Sequence, residues 1–130
     1  MASNVVSDNF ETGTGGVPQL GGTGATTCKA WVNFNGTSTV AIRDSYNVSS
    51  ITDTGVGRYT ANFASSMSNT NYSPTQSGEI SHDGVNANPS GFFVPSRDIL
   101  PTVSGYSVES RGTDGNNYDG SFFNIFVFGD

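Results

Sequence analysis

Residues 28–44 constrain the fold most. CKAWVNF alternates, with Cys28, Ala30, Val32 and Phe34 on one face and Lys29, Trp31 and Asn33 on the other. That is the period of a strand with one buried face. Asn35-Gly36 follows, the dipeptide preferred in a tight type I′ turn because both central residues need positive φ. TSTVAIRD supplies the returning strand. A hairpin at this point commits the chain to antiparallel β structure.

The rest of the chain agrees. YNVSSITD (46–53) reads as a strand, DTGVG (53–57) as a turn, and RYTANF (58–63) as a strand with Tyr59, Ala61 and Phe63 on one face. Residues 64–78 are polar and read as irregular, anchored by Met67 and Tyr72. Glu79–Ser81 is expected to be a short strand before a His82-Asp83-Gly84 turn and a loop over 85–91. GFFV (91–94) then ends at Pro95, which has no donor for a sheet ladder. Residues 101–110 form a further strand and 111–120 a turn cluster. SFFNIFVF (121–128) is apolar on both faces, as expected of a strand in the middle of a sheet or between subunits.

Composition separates this reading from its competitors. Ser, Thr, Asn and Gly make up 62 of 130 residues, whereas Lys occurs once and Leu twice, so the chain is poor in helix formers. A 12% aromatic fraction speaks against disorder, because it supplies large groups to bury. No segment repeats at a fixed period. The expected fold is all-β, a jelly-roll-like antiparallel β-sandwich over residues 28–130. It follows an extended Gly-rich arm over residues 1–27, whose segment 13–27 holds six glycines and a proline.

Charge and cysteine content narrow the function. The net charge is −6 and the pI near 4.3. Lys29, Arg43, Arg58, Arg97 and Arg111 lie far apart in sequence, so no nucleic-acid partner is expected. No apolar run is long enough to span a membrane, and MASNVVSDNF lacks the pattern of a signal peptide. Folding in the cytoplasm is therefore expected. Cys28, the single cysteine, can make neither an internal disulfide nor a thiolate metal site, and reads as a small buried side chain.

Catalytic patterns are weak. His82, the only histidine, sits beside Asp83 in a turn, and no Gly-x-Ser-x-Gly elbow is present. Asp114, Asp119 and Asp130 crowd the C-terminal end, but the first two belong to Asp-Gly turns. DGNNYDG (114–120) fails the calcium-loop pattern, with Tyr118, Asp119 and Ile125 at ligand or glycine positions. A looser oxygen-ligand site stays open. The glycine runs of the arm lack the Lys-Ser/Thr of a phosphate loop. Sequons at Asn35, Asn47 and Asn71 occur about as often as chance allows. No enzyme activity or cofactor is expected, and no residue is assigned as a metal ligand.

What remains is surface. Trp31 lies opposite the apolar face of its strand, and Tyr46, Tyr72, Tyr106 and Tyr118 are scattered among Asn, Ser and Gly. Aromatics among neutral hydrogen-bonding groups suit sugars or protein partners. Trp31, Tyr72, Tyr106 and Tyr118 are the candidate binding residues, although each also suits a core or a subunit interface.

The stretch CKAWVNFNGTSTVAIRDSYNVSSITDTGVGRYTANF (28–63) resembles a module of tail fibres and small fibre-like virion proteins of bacteriophages, marine and cyanobacterial ones in particular. The likeness extends more loosely to Met67 and Asn71-Tyr72. It implies an all-β, trimeric appendage domain with no catalytic residues attached to the motif. The expected role is a virion structural protein, a small tail-fibre-like appendage that assembles as a homotrimer. It would join other virion proteins through residues 1–27 and touch host surface glycans. Two alternatives stand beside it: a capsid decoration protein that cements the shell, and a free carbohydrate-binding module.

Overall fold

The computed structural model describes residues 28–79 and 91–129. The arm over 1–27, the His82-Asp83-Gly84 turn, Asp130 and most of the strand expected at 79–81 lie outside these residues. Eight strands are formed: β1 (Cys28–Asn35), β2 (Ala41–Tyr46), β3 (Val48–Gly55), β4 (Arg58–Phe63), β5 (Ser73–Gly78), β6 (Gly91–Pro95), β7 (Gly105–Gly112) and β8 (Phe123–Phe128). Among the described residues no helix is long and apolar enough to cross a membrane.

The strands form two antiparallel sheets, ordered β2-β1-β8-β5 and β3-β4-β7-β6. This is the all-β sandwich that the alternation implied. Its eight strands divide four and four, with the first and last described strands paired. The hairpins β1–β2, β3–β4 and β6–β7 stay within one sheet, and every other connection crosses between sheets. The shortest crossing is Asn47, whose φ of 53° is tolerated by a short polar side chain. Its amide donates to Lys29 O and Ser65 O and accepts from Ser65 N, tying both sheets to the 64–72 connection.

Alternation builds the core. Ala30, Val32 and Phe34 of β1 and Phe123, Ile125 and Val127 of β8 face Tyr59, Ala61, Phe63, Phe93, Tyr106 and Val108 of the other sheet. One end is an aromatic cluster, with Phe123 stacked 4.5 Å from Phe93 and its ring 5.4 and 5.3 Å from Phe34 and Tyr59. At the other end Tyr72 meets Phe63 and Tyr106 edge-on. Met67 and Tyr72 are buried, the anchors expected of the 64–72 segment.

Three expectations need correction. The β1–β2 connection is not a two-residue type I′ turn. Five residues separate the strands, and the positive φ lies at Ser38. Gly36 is needed there for close approach instead, since a Cβ would sit 2.5 Å from the Tyr59 hydroxyl and 2.7 Å from the Phe123 ring. Asn35 organises the loop through hydrogen bonds to Thr37 and Thr39. Second, Cys28 is half-buried, because a bulge between Cys28 and Ala30 breaks the alternation. Third, residues 73–78 form edge strand β5 on β8. Its polar composition concealed it. Pro74 is tolerated on an edge, and Gln76 ties the strand across the core by accepting from the Tyr106 hydroxyl at 3.0 Å.

Candidate functional site

The candidate site is the outer face of sheet β2-β1-β8-β5. With the inner positions of β1 and β8 filling the core, the alternate residues must point outward. Register then decides which of them become neighbours. Trp31 pairs with Tyr46 on β2 and with Phe126 on β8, and Phe126 pairs with Thr75 on β5. Tyr46, Trp31 and Phe126 therefore make an aromatic row across three strands. Tyr46 is 58% exposed, Phe126 39% and Phe128, next along β8, 38%.

A polar row runs beside it. Asp44, Asn33, Asn124 and Ser77 are aligned on the four strands. Asn33 Nδ2 donates to Asn124 Oδ1 at 2.8 Å, and Asn124 Nδ2 donates to Ser77 Oγ at 3.4 Å. Asp44 accepts from Ser45 N through one oxygen. Beyond this row Arg43 lies over the Phe122 ring, 5.7 Å from its centroid, and donates to Ser121 O. At the other side Tyr46 opens into a surface groove of about 500 Å³ lined by Lys29, Asn47, Ser65, Ser66, Met67 and Ser68.

Of the four residues singled out from sequence, Trp31 alone lies in this row. Tyr72 and Tyr106 are corrected: they are core residues, 7% and 1% exposed. The Tyr72 hydroxyl donates between Thr102 O and Gly105 O, each 3.0 Å away. Burial raises the Tyr72 pKa and pushes that of Tyr106 up to about 12, so both stay neutral and act as structural donors. Tyr118 belongs to a different part of the surface, the turn between β7 and β8. Its hydroxyl donates to Asp114 Oδ2 at 2.6 Å. Tyr46 and Phe126 join the row through register, and their signals in the sequence are the Tyr46 position among polar residues and the doubly apolar pattern of β8.

The acidic residues of 114–120 hold structure. Donation from Tyr118 and Asn116 lowers the Asp114 pKa. Asp119 Oδ1 accepts from Gly57 N and the Tyr59 hydroxyl, each at 2.7 Å. Burial, together with that carboxylate, raises the Tyr59 pKa well above the usual phenol value. Among the described residues no three His, Cys, Asp or Glu side chains converge as a metal site.

On the other sheet, Phe92 points outward opposite Arg111, and the 96–104 connection exposes Ile99, Leu100 and Val103. Ser96 fastens this connection, its N–H donating to Ser107 O and its hydroxyl to Glu109 Oε1. Arg58 and Asp98 pair at 3.5 Å at the surface.

Comparison of the chain with protein-family models, curated proteins and solved structures finds no match.

Proposed function

We propose that the protein is a structural component of a bacteriophage virion, a small tail-fibre-like appendage that assembles as a homotrimer and contacts the host surface. The observation that carries this reading is that two apolar surfaces remain outside a filled core. One is the aromatic row of Tyr46, Trp31 and Phe126; the other is the 96–104 connection, which exposes Ile99, Leu100 and Val103. Exposed apolar groups gathered in this way mark contact surfaces. Ile99, Leu100 and Val103 suit packing between copies, and the aromatic row suits an outside partner. The phage-fibre wording of residues 28–72 supports the same role, with residues 1–27 as the attachment to other virion proteins.

Particles lacking the protein test the role. The expected result is loss of adsorption with the shell still resistant to internal pressure, and a copy number per particle that is a small multiple of three. Hundreds of copies and a weakened shell would instead mean a decoration protein. Absence from purified particles would mean a free binding module.

A further inference from the structure

We propose that the outer face of sheet β2-β1-β8-β5 is a binding site for an uncharged glycan, with sugar rings on Tyr46, Trp31 and Phe126 and sugar hydroxyls on Asn33, Asn124 and Asp44. This deepens the host-contact half of the proposed function and rests on it for the biological source of the glycan. The chemistry of the face itself is independent of that source.

A pyranose ring presents C–H groups on its faces and hydroxyls around its rim, so it needs two kinds of surface side by side. Adjacent strands are about 4.8 Å apart, and three aromatics on neighbouring strands therefore span about 10 Å, room for a disaccharide. Tyr and Trp combine an apolar ring with a polar tip, which suits a ligand that is wet at its edges. The row alongside supplies the rim contacts. The Asn33–Asn124 hydrogen bond orients both amides. It leaves Asn33 Oδ1 and one Asn124 N–H for a ligand, an acceptor and a donor matching the dual character of a hydroxyl. Asp44 spends one oxygen on Ser45 N and keeps the other. Past Tyr46 the groove of about 500 Å³ continues the path, with a volume in the range of small-ligand sites.

Charge selects among occupants. The chain carries a net charge of −6, and few of its cations stand at this face. Arg58 and Arg97 pair with Asp98 and Arg111 donates to Gly115 O, away from it, while Arg43, at the edge of the polar row, is turned over the Phe122 ring. Lys29 is the cation that lines the groove. An acidic glycan would meet repulsion with little to offset it, whereas a neutral one needs no counter-charge. A second copy docked on this face would bury Asp44 and the unspent amide groups against an apolar row, at the cost of leaving polar groups unpaired.

Trp31 is the only tryptophan, so its fluorescence reports on the middle of the row. The full chain is titrated with neutral gluco-, manno- and galacto-tetrasaccharides and with sialyllactose as the acidic counterpart, alongside calorimetry. Saturable binding of a neutral probe with a change in Trp31 emission is expected. Tyr46→Ala and Phe126→Ala should each weaken it about tenfold or more, as loss of an aromatic anchor does. Val56→Ser, at an exposed turn position, should leave it unchanged. The proposal is overturned if no neutral probe binds, if sialyllactose is preferred, or if the two alanine variants bind as the parent does. It is also overturned if Phe126→Ala dissociates the assembly, which would make this face a contact between copies. Solution mass measured on the same samples separates the two ideas. A trimer that binds no glycan ends this inference alone, and a monomer that binds one ends the assembly reading alone.

Discussion

Replacing Phe123 by Ala is expected to remove about 3–5 kcal/mol of folding stability, the range for deleting a buried aromatic ring. Phe123 is fully buried and touches three other rings, those of Phe34, Tyr59 and Phe93. It is also the wall against which the chain closes: the ring lies where a Cβ on Gly36, Gly78 or Gly120 would come. Backbone segments from the β1–β2 connection, β5 and the 113–122 turn thus converge on one side chain and cannot all collapse into the space it leaves. The adjacent Phe122 is 50% exposed, so Phe122→Ala should change stability by only about 0.5 kcal/mol. Urea midpoints of the two variants, at unchanged slope, make the comparison. Equal losses would mean that the inward and outward assignment of β8 is wrong.

The second large effect is expected at Gly120. A Cβ there would lie 2.0 Å from Glu79 O, a backbone atom, and 2.8 Å from the Phe123 ring. Neither backbone can easily yield. Gly36 N donates to Gly120 O at 2.9 Å, and Glu79 N donates to Phe122 O at 2.8 Å. Overpacking against side chains costs roughly 1–3 kcal/mol, and a clash with fixed backbone belongs at or above the top of that range. Gly120→Ala should therefore destabilise by about 3 kcal/mol or more. Gly115→Ala is the control. Its φ of 86° disfavours a side chain, but a Cβ there has open space around it, so the loss should stay near 1 kcal/mol. If the control proves the more damaging, close approach is not what Gly120 provides.

Much of the sandwich could be read from local pattern. The alternation of β1 and β4 places Val32, Phe34, Tyr59 and Ala61 in the core as expected. Strand β5 escaped because SPTQSG carries no apolar alternation; it is held by pairing with β8 and by Gln76, both long-range. The Asn35-Gly36 signal located a hairpin correctly but not its turn. Gly36 is required by Tyr59 and Phe123, residues distant in sequence.

The candidate site was half legible for the same reason. Trp31 faces outward by simple parity, whereas its neighbours depend on register. A bulge between Asn33 and Phe34 in the β1–β2 ladder sets Tyr46, not Ser45, opposite Trp31. A one-residue slip would turn Tyr46 to the inner face, and no local pattern announces the bulge. Tyr72 and Tyr106 looked like surface aromatics because their flanking residues are polar. Those flanking residues instead occupy the 64–72 connection, the start of β5, the turn before β7, and β7 positions covered by the 96–104 connection.

Assembly is the central claim about function, and solution mass at micromolar concentration tests it most directly. A homotrimer three times the 13.6 kDa chain, about 41 kDa, is the predicted result. A monodisperse 13.6 kDa monomer would contradict it.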